Sequence, residues 1–206
     1  MSRAADGAPG AVLVIVSGPS GVGKDTVIEA LRARPGNHEY HYVVTATTRP
    51  ARAYEVDGVH YRFLEPGTFA RLRAAGEFLE ANEVHGHWYG TPRDDVRQAL
   101  VADRDVILKI DVQGAAAVKQ AVPDALLVFL VPPSLEDLFT RLRARATESA
   151  DELDVRQRNA ALELARADDY DHVVVNETGR IARTAERIEA IVDAEKTRHP
   201  DRRTRV

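Results

Sequence analysis

The 206-residue sequence contains no cysteine. Disulfides, thiolate zinc sites and cysteine nucleophiles are therefore excluded. Long apolar runs are also missing: Ala11 to Val16 and Ala125 to Val131 fall far short of the roughly 20 residues that cross a bilayer. The opening residues Ser2, Arg3, Ala4, Ala5, Asp6 and Gly7 lack the apolar stretch of a signal peptide. Nor is there a basic excess. A net charge of −4 argues against a general nucleic-acid or membrane-surface binder. These absences lead us to expect a soluble, cytoplasmic chain.

What is present suits a globular protein. Apolar residues make up 44% and charged residues 29%, enough for a core, and the length fits one domain with small insertions. Val12–Val16, Val106–Ile110, Leu126–Val131 and Val173–Val175 are near-continuous apolar runs, as in strands buried on both faces of a parallel sheet. Helical spacing follows each, over Asp25–Arg34, Gln113–Ala121, Ser134–Arg145 and Thr178–Glu195. Ser134 and Asp137 after Pro132-Pro133 form an N-cap signal. The repetition predicts an α/β fold.

Two stretches break the rhythm. Residues 45–91 hold short alternating segments and one helical pattern, Gly67–Ala75, and read as a small mixed insertion. Residues 141–160 are polar and helical in propensity, as expected of a mobile charged flap. The basic stretch 196–206 is expected to be a solvated tail.

Gly18-Pro19-Ser20-Gly21-Val22-Gly23-Lys24 lies between a predicted strand and a predicted helix. In that setting G-x-x-x-x-G-K is a phosphate-binding loop. Its glycines let backbone N–H groups converge on a polyphosphate, the helix N-terminus adds positive charge, and Lys24 reaches the β- and γ-phosphates. The next position commonly offers a hydroxyl to Mg2+, but here it is Asp25, followed by Thr26. Asp25 either faces the metal with its carboxylate or is an acidic first-turn residue favoured by the helix dipole.

The insertion carries Thr45-Ala46-Thr47-Thr48-Arg49-Pro50-Ala51-Arg52, then Glu55-Val56-Asp57-Gly58-Val59-His60-Tyr61, Glu77-Phe78-Leu79-Glu80 and Trp88-Tyr89-Gly90-Thr91. Arg49 and Arg52 supply paired guanidinium forks suited to a phosphate dianion, and Tyr61 and Tyr89 supply phenolic donors. His85 and His87 flank Gly86 but have no third ligand at sensible spacing, so they read as turn residues.

Together with the glycine loop, these four pieces resemble the guanylate kinase family from the loop to about Asn176. The resemblance implies a P-loop NTPase-type parallel sheet core flanked by helices, with a small mixed GMP-binding insertion and a helical lid. The implied single domain spans 11–196, with core segments 11–44, 92–134 and 161–196. The insertion is 45–91, the lid 135–160, and 1–10 and 197–206 are flexible tails. ATP and GMP would be the substrates, with Mg2+ accompanying ATP.

By the same resemblance, Arg49, Arg52, Tyr61 and Tyr89 hold the GMP phosphate, while Glu80 reads guanine beside Thr91 and Thr45. A carboxylate accepts both N1–H and N2–H of guanine, whereas adenine presents a lone pair at N1. Asp111 ends the strand run and lies near acceptor nucleotide and metal, as a base contact or through a water on Mg2+. Arg141, Arg145 and Arg156 resemble lid arginines, and Asn176 a residue near the donor nucleotide. Arg141 and Arg145 share a helix face, where like charges repel unless an anion bridges them. Lys109 stands where the family usually has an acid, on the same strand face as Asp111, and could pair with Asp25. Two other readings fit parts of the pattern. Asp after the loop lysine resembles ribose 1,5-bisphosphate phosphokinase, and non-catalytic guanylate-kinase-like modules share the build but usually lack a working loop.

Overall fold

The chain is described here by a computed structural model covering residues 10–34, 40–84, 86–144 and 150–206. The expected N-terminal tail, apart from Gly10, lies outside these residues, as do His85 and Arg145. In chain order the elements are β1 (Leu13–Ser17), α1 (Lys24–Ala33), β2 (His41–Tyr42), β3 (Ala46–Thr47), β4 (Arg62–Phe63), α2 (Pro66–Ala74), β5 (Phe78–Val84) and β6 (His87–Pro92). They continue as α3 (Arg93–Val101), β7 (Val106–Lys109), α4 (Val112–Ala121), β8 (Leu126–Val131), α5 (Leu135–Ala144), α6 (Ala150–Leu164), β9 (His172–Val175) and α7 (Ile181–Arg198).

β2, β7, β1, β8 and β9 form, in that order, a sheet with every pairing parallel. The unbroken apolar runs follow from this placement. Side chains alternate along a strand, so a strand covered on both faces must be apolar at every position. Val12, Val14 and Val16 pack with Val27 and Leu31 of α1 and Ile188 and Val192 of α7. Leu13 and Ile15 face the opposite way, toward Val96 and Leu100 of α3 and Ala115 and Val118 of α4. The three-layer α/β architecture was thus legible in the strand runs, but α3 was not, because Arg-Asp-Asp opens it and Val96, Ala99 and Leu100 are its few buried residues.

The insertion is a four-stranded sheet, β4-β3-β6-β5, with β3 and β5 antiparallel to β6. Its core is small. Phe69 of α2 stacks on Phe78 with ring centroids 4.6 Å apart, and Trp88 lies 6.0 Å from Phe69. Gly90 is required beneath them, since a Cβ there would stand 2.9 Å from Phe78 Cδ1 and 3.0 Å from Phe69 Cζ.

Two expectations change. The polar flap is not detached from the core: Leu138 and Leu142 of α5 and Ala160 of α6 are fully buried in the α1–α7 cluster. Ser134 does cap α5, its Oγ accepting from the Asp137 amide at 3.0 Å. The basic C-terminal stretch does not stand clear of the body either. α7 runs to Arg198, Thr204 is buried, and Val206 packs on the second cluster. Glu195, buried on α7, draws the side chains of Arg198 and Arg202 inward, which ties a basic segment to the surface.

Because few side chains hold the insertion together, we predict that Phe69→Ala costs about 3–5 kcal/mol. Hydrogen exchange should quicken across residues 45–91 while β1 stays protected. Uniform loss of protection over both sheets would contradict an independently packed insertion.

Candidate active site

The carboxyl ends of β1 and β7 open into a cleft of about 720 Å³, bounded on its far side by the insertion and by α6. The volume falls in the range of small-molecule sites. Parallel sheets gather ligands at this edge because loops and helix N-termini converge there.

The glycine loop turns between β1 and α1 with positive φ at Gly18, Gly21 and Gly23. Gly18 also lies against β8, where a Cβ would come 2.4 Å from the Leu130 carbonyl oxygen. Lys24 Nζ donates to the Gly18 and Pro19 carbonyls at 2.5 and 3.2 Å. Burial lowers its pKa, against the opposing fields of Glu163, Asp25 and Asp111. The Ser20 amide donates to Glu163 Oε2 at 2.9 Å, and Arg156 reaches Ser20 Oγ at 3.4 Å.

Arg141 and Asn176 are placed behind the loop. Arg141 donates to the Val22 carbonyl at 3.0 Å, the Asn176 carbonyl at 3.1 Å and Thr178 Oγ1 at 2.7 Å. Buried Asn176 donates from Nδ2 to the same Val22 carbonyl at 2.7 Å and accepts from Thr184. Their contacts brace the loop backbone from below. Asp25 and Thr26 are exposed on the first turn of α1, and Asp25 Oδ1 accepts from Lys109 Nζ at 2.5 Å.

On the insertion side, Arg49 grips Glu55 with both Nη atoms, at 2.9 and 2.8 Å. Glu55 also accepts from the Arg52 amide at 2.7 Å. Burial alone would depress the Arg49 pKa, but the hydrogen bonds it donates to Glu55 and Tyr89 raise it above its ordinary value. Burial likewise opposes ionisation of Glu55, yet Arg49 and the Arg52 amide bring its pKa below the usual range. Tyr61 and Tyr89 meet edge to face at 6.0 Å, with the Arg49 guanidinium 5.5 Å from the Tyr61 ring.

Glu80 sits deeper. A register shift between Phe78 and Glu80 pairs it with Thr91 of β6. Thr91 Oγ1 donates to Glu80 Oε1 at 2.6 Å and Asn82 Nδ2 to Oε2 at 2.7 Å. Burial pushes its pKa up to about 7, helped by the nearby charge of Asp111 and resisted by the Thr91 and Asn82 hydrogen bonds. Gly114 of α4 comes close, with room for a Cβ only 3.2 Å from Oε2. Thr45 is buried alongside, and its carbonyl accepts from the Arg62 amide at 2.9 Å. Asp111 caps α4, its Oδ1 accepting from the Gln113 and Gly114 amides at 2.8 and 2.9 Å.

The cleft thus gathers Lys24, Thr45, Arg49, Arg52, Tyr61, Glu80, Tyr89, Asp111 and Arg156. Thr91 is behind Glu80, and Arg141 and Asn176 are beneath the loop. Glu55, Asn82 and Glu163 were missed by sequence reasoning. Glu55 was within a quoted motif, but no pattern marks it as the partner of Arg49; Glu163 is 143 residues from Ser20. Among the described residues, no group of three His, Asp or Glu side chains could hold a metal unaided.

Comparison with known proteins gives the family of the chain. The family model described as guanylate kinase matches residues 11–195. A guanylate kinase of Symbiobacterium thermophilum is 46% identical over 191 residues, 92% of this chain and 88% of that protein. One of Chelativorans sp. is 41% identical over 192 residues, 93% of this chain and 86% of that protein. The crystal structure of guanylate kinase from Anaplasma phagocytophilum aligns with a TM-score of 0.76 at 31% identity, covering 96% of this chain and 92% of that one. The match takes in the sheet, the insertion and the helices beyond it: this chain belongs to the guanylate kinase family.

Proposed function

We propose that the protein transfers the γ-phosphoryl group of ATP to GMP, giving ADP and GDP. Buried Glu80 carries this reading. Its two oxygens, steadied by Thr91 and Asn82, form an acceptor pair across the cleft from the phosphate loop. Guanine offers adjacent N1–H and N2–H donors on its Watson–Crick edge, which match a carboxylate. Adenine would set its N1 lone pair against Glu80 and leave a buried acceptor unpaired, which is how such sites discriminate strongly.

The remaining roles follow from position. The loop amides and Lys24 receive the ATP phosphates, Lys24 leaving its carbonyl partners to do so. Arg49, Arg52, Tyr61 and Tyr89 hold the GMP phosphate, with Glu55 keeping the Arg49 fork in one orientation. Arg156 closes from the lid side, while Arg141 and Asn176 keep the loop in shape. Arg145, assigned to the same lid, is outside the described residues. The acceptor oxygen is already anionic, so no general base is needed. Alignment and exclusion of water carry the rate, and we infer that insertion and lid draw together over bound nucleotides.

Mg2+ fits as the companion of ATP. Asp111 lines the cleft and Asp25 lies beside it on Lys109; their hard carboxylate oxygens are too few for a protein-only site but suited to an ion already on phosphate. When bound, the ion would neutralise phosphate charge. Asp25 invited comparison with ribose 1,5-bisphosphate kinases, but its bond to Lys109 accounts for it without a sugar substrate. No helix among the described residues is long and apolar enough to cross a membrane, and we place the enzyme in the cytoplasm with its nucleotides.

Coupled ADP release with GMP, AMP and ribose 1,5-bisphosphate side by side tests the assignment. We expect turnover with GMP. Turnover with the sugar alone, or nucleotide binding without turnover, would refute it. Glu80→Gln replaces one acceptor with a donor and should cut kcat/KM for GMP about a hundredfold, or roughly 2.7 kcal/mol.

A pH dependence follows from the same residue. Guanine needs Glu80 ionised, and its pKa stands near 7 before the base donates to it. Bound guanine favours the charged form, so binding releases a proton at mildly acid pH. GMP affinity should weaken up to about tenfold per pH unit as pH falls below 7. Because the GMP phosphate itself titrates near pH 6, the control is Glu80→Gln, which should keep only the phosphate part of the profile. Identical profiles would remove Glu80 from base recognition.

Glu55→Gln should weaken GMP at least tenfold while leaving guanosine, which has no phosphate, bound as before. Inhibition constants for both ligands give the comparison, and parallel loss of both would argue against a role in orienting the phosphate clamp.

A further inference from the structure

Lys109 has no part in the scheme above, yet its side chain lines the cleft. It extends from the end of β7, beside Val16 of β1. Nζ donates to Asp25 Oδ1 at 2.5 Å and to Tyr61 OH at 3.5 Å, and stands 4.7 Å over the Tyr61 ring. Asp25 directly follows Lys24 of the phosphate loop, while Tyr61 is on the acceptor side. Lys109 therefore joins the half of the cleft that takes ATP to the half that takes GMP.

The ion pair with Asp25 is lopsided. The Lys109 side chain is 18% exposed and that of Asp25 is 60% exposed. Burial opposes the Lys109 charge, yet Tyr61 and Asp25 hold its pKa above the ordinary value, so the group stays an ammonium inside the cleft. Lys109 also stands close enough to Lys24 for its charge to oppose Lys24's own ionisation. Two ammonium groups so placed are relieved by an anion between them. Phosphate is the anion that the glycine loop and the Arg49–Arg52 pair are shaped to bring.

Resting on the reading of the cleft as an ATP:GMP site, we propose that Lys109 is a further catalytic residue, its ammonium touching the acceptor phosphate and the phosphoryl group in transit. A GMP phosphate oxygen forms the new bond to the γ-phosphorus. The bond from that phosphorus to the β–γ bridging oxygen breaks, and its electron pair leaves with ADP. No proton moves, and Lys109 remains an ammonium throughout. Asp25 acts as a positioning residue, setting the ammonium over Tyr61 rather than toward solvent. The contribution falls on the transition state, where charge spreads over the transferring oxygens.

The test compares wild type, Lys109→Met and Asp25→Ser/Lys109→Met, reading kcat and KM for both substrates and GMP affinity by calorimetry. We expect Lys109→Met to lose at least tenfold in kcat while GMP affinity changes less than fivefold. The double variant should recover no more than threefold over Lys109→Met, because removing Asp25 cannot replace a missing contact to phosphate. If the double variant recovers beyond that, Lys109 serves only to neutralise Asp25 and the proposal fails. It also fails if Lys109→Met keeps kcat within tenfold of wild type, or if its loss is shared by GMP affinity. Should the methionine variant not fold, Lys109→Gln is read against the same thresholds. A wild-type protein inactive on GMP would sink the functional assignment itself, an outcome distinct from all of these.

Discussion

Phosphate sites must crowd positive charge into a space that water enters poorly, and a protein has to hold that charge together without phosphate's help. Here the cations in the cleft are matched to oxygens of the chain. Lys24 donates to the Gly18 and Pro19 carbonyls, Arg49 to Glu55, and Lys109 to Asp25, while the Ser20 amide donates to Glu163. Each partner satisfies a group that would be costly to bury alone. Nucleotide binding is then largely an exchange of partners. On the proposed reading, an internal bond that uses a donor phosphate needs must open or be shared, as at Lys24 and at Arg49, whose two Nη atoms both donate to Glu55.

The fold makes this possible by separating support from contact. The parallel sheet is buried on both faces, so the ends of β1 and β7 are fixed by packing well before any ligand arrives. From that base, Arg141 and Asn176 reach the Val22 carbonyl from behind the loop. The acceptor side rests on a much smaller core around Phe69 and Phe78. On the proposed reading, a firmly packed loop side and a lightly held insertion suit a reaction that must admit two nucleotides and then exclude water.

How much of this could be read in the sequence depends on how local each signal is. The glycine loop is contiguous and flanked by a strand and a helix, so its chemistry was visible at once. The strand runs revealed the parallel sheet because burial on both faces removes polar residues from successive positions. Arg49, Arg52 and Glu80 stood out through a familiar order of motifs. Glu163 and Asn82 did not, since an acid late in a polar helix and an amide on a strand look like surface residues until the chain folds back. α3 was hidden because its exposed face is heavily charged, and the polar flap concealed Leu142 and Ala160. The basic C-terminal stretch misled for the converse reason: charge suggested solvent, but Glu195 supplies a buried anion for it.

Three acids in or beside the cleft show why residue type alone does not assign a role. Glu55 is held ionised by Arg49 and the Arg52 amide, which fits it to orient a cation. Asp111 has one oxygen committed to capping α4, leaving the other side of its carboxylate toward the cleft. Among the described residues Glu80 meets hydroxyl and amide donors and no cation, and burial pushes its pKa up to about 7. A carboxylate so placed is ready to gain from new donors, because each hydrogen bond to its charged form recovers solvation lost on burial. A full salt bridge at that position would have satisfied the acid beforehand and left the base little to contribute. On the proposed reading, selectivity for guanine depends on leaving this buried acid without a cation, so that the base supplies the donors it lacks.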